Sequence, residues 1–261
     1  MRSVSARTGL AQAVHALKSS ATTIVFLTVP DSAVTGVASR LASGPPIPAV
    51  VAFVHASGAR EVGALAPLAG LHPVGSFHPL RSFPEPGPPD SFRNIVIAVD
   101  ASSPSLLRVL NRLARDLGAK PRRVEDSQRA LYHAAAVFAS NYVVALVGVA
   151  IGLLEQLGWT EKDAIKGLTT LADGAVANVA KRGSTAALTG PIRRGDSETV
   201  RRHLAALAKG GRSTRRIDLY RMLGEVALEI AKEAGLEPVA AGQTRRALTR
   251  KVAATRRRSR Q

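Results

Sequence analysis

Arg129-Ala-Leu-Tyr-His-Ala-Ala-Ala-Val-Phe-Ala-Ser-Asn-Tyr-Val-Val-Ala-Leu-Val-Gly-Val-Ala-Ile-Gly-Leu-Leu154 decides the reading of this chain, because no residue from Ala134 to Leu154 is charged. Apolar side chains occur all round its helical projection, which predicts a helix buried on nearly every side. Its first half still holds Tyr132, His133, Ser140 and Asn141, polar groups that need partners when buried. At about 100° per residue, His133, Val137, Ser140 and Asn141 fall within one stripe. Ala130, Ala134 and Ala136 lie within or beside it and leave room for another group to approach. The stripe is expected to be the wall of a site. The run also reaches the length of a membrane span, about 18 uncharged residues. Asn141 and Tyr142 would then sit well inside the bilayer, much of the run is Ala and Gly, and no second span accompanies it. A helix buried in protein, and no membrane, is the expectation.

Composition bounds the rest. The 261 residues, 46 % of them apolar, supply core enough for one large domain or two modest ones. Cys is absent, so neither a disulfide framework nor thiolate chemistry is available, which fits a reducing cytoplasm. The six His have no Cys or clustered carboxylates at ligand spacing, so no metal site is expected. The net charge of +17 points to a polyanion partner until it is located. Eight positive charges, from Arg245 to Arg260, fall in the last seventeen residues without an acid between them. Such a tail is read as a solvated extension that binds nucleic acid, if at all, without sequence preference. Met1 to Ser20 is acid-free and transit-peptide-like, yet Leu10, Val14 and Leu17 have helical spacing and lead straight into a strand, so it is taken as part of the fold.

Upstream of the long helix, strand and helix patterns alternate. Thr22 to Val29, Ala49 to Val54, Val74 to Leu80, Asn94 to Val99 and Arg122 to Val124 read as strands, with helices near Val34–Leu41, Val62–Leu68 and Pro104–Leu117. This spacing predicts a parallel α/β sheet, whose ligands bind beyond the carboxyl ends of the strands. Polar clusters sit there: Val29-Pro30-Asp31, His55-Ala-Ser57-Gly58 and Gly75-Ser-Phe-His78-Pro79. Asp31 or Ser32 is expected to cap the following helix. After Asp126 the pattern is purely helical. Thr160 with Asp163 reads as a near capping box for a helix to about Lys181, Asp196 as the cap of Ser197–Lys209, and Ile217–Ala234 as the last long helix. Arg193 and Arg194, just before a helix start, suit an anion as well as a solvated Arg pair. A Gly-x-Ser-x-Gly elbow is absent, which disfavours hydrolase chemistry.

Val29-Pro-Asp31, His55-Ala-Ser-Gly58, Gly75-Ser-Phe-His-Pro-Leu80, Tyr132-His-Ala-Ala-Ala-Val-Phe-Ala-Ser-Asn141 and Ala187-Leu-Thr-Gly-Pro-Ile-Arg-Arg-Gly-Asp196 together resemble a family of bacterial Rossmann-like oxidoreductases of unknown function. Its helical domain is similar to the C-terminal part of 6-phosphogluconate dehydrogenase. More distantly the chain looks like ketopantoate reductases and β-hydroxyacid dehydrogenases. The resemblance implies a Rossmann-like dinucleotide-binding domain over residues 1–127 and a helical domain over 128–243; the basic run over 244–261 lies outside it and is read from its charge as a disordered tail. It departs from the family in one respect: no Gly-x-Gly-x-x-Gly turn to carry a pyrophosphate occurs anywhere. The sheet is therefore expected to lack its first βα unit and to open at the second strand, through a misplaced start in preference to real loss in a cofactor-poor relative. Val4 to Gly9 would stand where the adenosine ribose is read, and Arg7 would favour NADP over NAD.

The resemblance implies hydride transfer between that nicotinamide cofactor and a small carbonyl or hydroxy acid. Imidazole ordinarily titrates near neutrality, which makes His133 the candidate general acid. Asn141 would hold the substrate oxygen with Ser140 near by. Arg194, with Arg193 second, would clamp an anionic substrate. His78 and Ser57 would contact the substrate, while Arg7, Val29, Pro30, Asp31, His55 and Gly58 would line the cofactor. A homodimer through the helical domain is also implied. The alternative is a dimeric small-anion-binding protein without catalysis.

Overall fold

A computed structural model describes residues 23–49, 51–85, 87–209 and 214–250. The proposed roles of Arg7, of the Val4–Gly9 segment and of the Leu10–Leu17 pattern, and the tail beyond residue 250, lie outside these residues. The chain falls into two units, Met1–Val143 and Val144–Gln261. The boundary lies past the long helix's first half, so Tyr132, His133 and Asn141 belong with the sheet and not with the helices that follow.

The first unit holds five strands in the order β1-β2-β3-β4-β5: Thr23–Leu27, Val51–His55, Val74–Pro79, Val96–Ala101 and Lys120–Arg123. All five residues of β2 are buried. Its side chains alternate between two cores, as a strand covered on both faces requires. Val51 and Phe53 join helix α1 (Val34–Ala42), the 3-10 turn Val62–Leu65 and short α2 (Ala66–Ala69) on one side. Ala52 and Val54 join α3 (Pro104–Asp116) on the other. Ser103 accepts from the Leu106 amide at 3.3 Å and Pro104 opens α3, a start that needs no further donor. Asp31 and Ser32 make no such cap: α1 is entered through a 3-10 turn at Asp31–Ala33 instead.

The sheet is mostly parallel, but β3 and β4 pair antiparallel, with Gly75 opposite Ala101 and Pro79 opposite Ile97. A parallel return needs a crossover, usually a helix. The connection here is rich in proline, which lacks an amide donor and resists helix, and its only regular element among the described residues is the 3-10 turn Pro89–Phe92. The chain therefore turns back beside β3.

The single expected long helix is two: α4, Arg129–Ala139, and α5, Asn141–Glu155, broken at Ser140 (φ −126°, ψ −76°). No residue of α5 is buried, which corrects the expected burial on every side. Val143, Val147 and residues 149–154 are half-buried and the others exposed, so the described residues cover this apolar helix only in part.

The second unit continues with α6 (Glu161–Ala187), α7 (Gly190–Arg193), α8 (Ser197–Lys209), α9 (Thr214–Glu233) and α10 (Pro238–Thr249). Thr160 accepts from the Asp163 amide at 3.2 Å and donates to its carboxylate at 2.7 Å, capping α6 as the sequence predicts. Gly183, at φ 77°, kinks α6 near the predicted end, and helical turns resume beyond it. Asp196 likewise accepts from the Thr199 amide at 3.0 Å, capping α8. Residues 244–249, assigned to the tail from their charge, are instead the last turns of α10. Thr244 and Leu248 are fully buried there, Leu248 against Val200 and Leu204 of α8.

Candidate active site at the strand ends

Two elements deliver the polar side chains of the first unit. The carboxyl ends of β2 and β3 bring His55, the Ser57-Gly58 turn, Ser76 and His78. The 3-10 turn Asp126–Gln128 and the start of α4 bring Asp126, Arg129, Tyr132 and His133. Glu125 and Gln128 form a reciprocal capping box at that turn, fixing its entry. Asp126 accepts from the Val62 and Gly63 amides at 2.7 and 3.3 Å, which fastens α4 to the segment after β2.

Arg129 is the largest fully buried side chain among those described. Its guanidinium donates to the Ser57 carbonyl at 3.4 Å and to the Ser76 hydroxyl, and its Nε has no partner. Burial lowers its pKa, while the charges of Asp126 and Asp100 oppose that shift. The Ser57 hydroxyl accepts from the Ala59 and Arg60 amides at 3.2 and 2.9 Å. Ser57 thus shapes the turn, which accounts for its place without the substrate contact expected of it.

The histidines gather above Arg129. His55 is fully buried and its Nε2 donates to the Glu61 carbonyl at 3.0 Å, leaving a buried Nδ1 without a partner. Desolvation lowers its pKa, and the positive charge of Arg129 adds to that against the Glu61 hydrogen bond. His78 Nδ1 meets the Tyr132 hydroxyl at 2.8 Å. A Cβ built on Gly58 would lie 2.7 Å from His78 Nε2 and 3.0 Å from His133 Nδ1. Only glycine lets both imidazoles approach that turn. His133 Nδ1 is buried and without a hydrogen-bond partner. Burial, then the neighbouring His133 and Arg129, push the His78 pKa down to about 4, with Asp31 pulling the other way. Burial also raises that of Tyr132. At neutral pH the centre offers a neutral imidazole, a protonated phenol and a buried cation.

Of the residues singled out from sequence, the structure brings His55, Ser57, Gly58, His78 and His133 together. Asp31 is exposed and close enough for its charge to act on His55 and His78, with half-buried Val29 and exposed Pro30 before it. Ser140 and Asn141 are exposed at the helix break, and no described contact joins them to the histidines. Arg129 and Tyr132 were not singled out. Their i, i+3 spacing with His133 next to Tyr132 marks one helix face, but nothing in sequence says that this face meets the strand ends.

In the second unit, Arg193 donates to the Ala234 carbonyl at 2.9 Å and so closes the end of α9. Arg194 is exposed beside it. Both line an open depression of about 640 Å³ with Leu188, Thr189, Gly190 and Glu237. No group of three or more His, Asp or Glu suited to a metal occurs among the described residues.

A family model described as a domain of unknown function, DUF2520, matches residues 95–227, just over half of the chain. Among solved structures, protein TM1727 from Thermotoga maritima is similar at 26 % identity and a TM-score of 0.68, over 84 % of this chain and 81 % of that one. An NADP oxidoreductase candidate from Bacteroides fragilis is similar at 22 % identity and 0.65, over 83 % and 78 %. No curated protein matches. These likenesses establish the fold, an α/β Rossmann-like unit followed by helices.

The low His78 pKa fixes a sign. Between pH 6.5 and about 4 the unfolded chain binds a proton that folded His78 refuses, so its contribution to stability is complete above 6.5 and lost as pH falls through about 4. His78 is partly exposed, so screening trims the full shift to a loss of about 1–2 kcal/mol. Urea unfolding at pH 7 and pH 4 is expected to show that loss in the wild type and a smaller one in His78→Gln.

Proposed function

The chain belongs to the DUF2520 family, and on that premise we propose that it is an NAD(P)-dependent oxidoreductase acting on a small carbonyl or hydroxy acid. The observation that carries this is the pair His78–His133 over Gly58, at the carboxyl ends of strands in a sheet of dinucleotide-binding type. The fit to a nicotinamide is local. The unpartnered nitrogens of His55 and His133 and the small Ser57-Gly58 turn suit the reacting ring and substrate, whereas a glycine-rich pyrophosphate cradle is not among the described residues. When bound, the reduced nicotinamide supplies a hydride.

The chain's own residues then have distinct tasks. His133 delivers the proton to the developing alkoxide. The buried Arg129 gives that negative charge a favourable field without touching it. Gly58 leaves the approach open, and Asp31 and His55 border it. Arg194 is kept as the anion contact of the second unit, since Arg193 is engaged at Ala234. NADP is favoured over NAD on the sequence alone, because an arginine such as Arg7 suits a 2′-phosphate. Asn141 and Ser140 carry no part of the proposal.

We also propose that the chain is a homodimer. In the second unit Leu171 and Met222 are each 70 % exposed, with Val176, Val179 and Val226 also open, apolar surface that a second copy would cover. Residues Asp126–Glu155 are long and apolar enough to cross a membrane by length and composition, and no residue of their 18-residue apolar stretch is buried. Yet Arg129, Tyr132 and His133 are held at the strand ends. The 15 residues of α5 that remain reach about 22 Å, against about 30 Å of hydrocarbon. A second copy of the chain is the occupant that fits.

NADPH fluorescence titration is expected to show saturable binding, and His133→Ala to lower carbonyl-dependent oxidation by about 10²–10⁴. An unchanged rate removes His133 from the chemistry. Binding of phosphate or carboxylate without NADPH supports the anion-binding alternative. Light scattering is expected to give twice the 27.3 kDa chain mass, with Leu171→Glu monomeric. A monomeric wild type, or flotation with lipid vesicles, contradicts the dimer.

A further inference from the structure

Two features have no part yet in that chemistry: the Tyr132 hydroxyl and the orientation of the His78 ring. The rings meet edge to face, centroids 5.6 Å apart, with the hydroxyl on His78 Nδ1. His78 Nε2 is thereby aimed at Gly58, where His133 Nδ1 also converges from another element. The two nitrogens are close enough for one bound oxygen to touch both, and no hydrogen bond joins them directly.

What the pair offers depends on which His78 nitrogen holds the proton. A neutral imidazole has one N–H and one bare nitrogen. A phenol donates far better than it accepts, because its oxygen lone pair is delocalised into the ring, and a bare imidazole nitrogen is a strong acceptor. Burial raises the Tyr132 pKa against the opposing charge of Arg129, so the phenol keeps its proton and shares it with a partner. The O–H therefore points at Nδ1, and the imidazole proton resides on Nε2.

We propose that Tyr132 is a positioning residue, whose hydroxyl fixes His78 as the Nε2–H tautomer and so aims an N–H at a substrate oxygen bridging His78 and His133. The substrate in this statement rests on the oxidoreductase proposal; the tautomer does not. Desolvation, His133 and Arg129 all keep His78 neutral, while Asp31 alone works against them among the largest influences. A neutral imidazole can polarise a carbonyl and keep its proton. As the carbonyl becomes an alkoxide, the oxygen is held by His78 Nε2–H and takes its proton from His133, giving the alcohol. The division of labour is one donor that stays and one that leaves.

Long-range ¹H–¹⁵N NMR of the labelled full chain at pH 7, with His78→Gln to assign the signal, reads the tautomer directly. The expected result is protonated Nε2 in the wild type and a mixture of tautomers in Tyr132→Phe. The same variant should lose about tenfold in kcat, less than the 10²–10³ of a lost oxyanion donor, with KM for NADPH unchanged. An Nδ1–H tautomer in the wild type, or an unaltered tautomer in Tyr132→Phe, overturns the proposal. Should NADPH fail to bind, the oxidoreductase proposal falls and the NMR signal still decides the role of Tyr132.

Discussion

A guanidinium without a carboxylate partner, wholly enclosed at the ends of β2 and β3, is the constraint on which the site depends. Burying a charge costs several kcal/mol, and Arg129 is held by two neutral acceptors, the Ser57 carbonyl and the Ser76 hydroxyl. Asp126 and Asp100 soften that cost from a distance. In return the residue ties three segments together: the turn after β2, the middle of β3 and the first turn of α4. Each of the histidines that matter leaves from one of those segments. Their mutual placement is thus set by one side chain and by the Asp126 clamp one turn before it.

The same charge shapes the chemistry. Burial, helped by the cation beneath them, keeps the imidazoles of His55 and His78 neutral, and the cation favours negative charge arriving from outside. Carbonyl reduction creates such a charge on oxygen. A neutral His78 donor and a fixed positive field suit it better than a row of imidazolium groups, which would repel one another. The geometry and the electrostatics point the same way.

Strands β1 to β4 were legible in the sequence because β-branched runs bounded by Pro, Gly and Ser have few other solutions, whereas β5, Lys-Pro-Arg-Arg, has no such run and lies two residues before the expected start at Arg122. His55 and His78 could be placed at strand ends for the same reason. The antiparallel β4 could not, since a proline-rich connection fixes no direction until its lack of a crossover helix is seen. Helix α10 was hidden because Arg245 and Arg246 drew attention to charge, while its buried face is made of Ala241, Thr244, Ala247 and Leu248, too small and mixed to stand out. The break at Ser140 was equally silent. It separates His133 from Asn141, which helical spacing alone had placed on one stripe. Arg129 and Tyr132 escaped notice because a helix states its periodicity, and tertiary contact alone states which face it turns inward.

The most direct measurement is the titration of the His78 imidazole by NMR in the wild type and in Arg129→Met. Burial and His133 hold the wild-type midpoint near 4 together with the Arg129 charge, and the midpoint rises part of the way once that charge is gone. A wild-type midpoint already near 6.5, or one that ignores the loss of Arg129, contradicts the account.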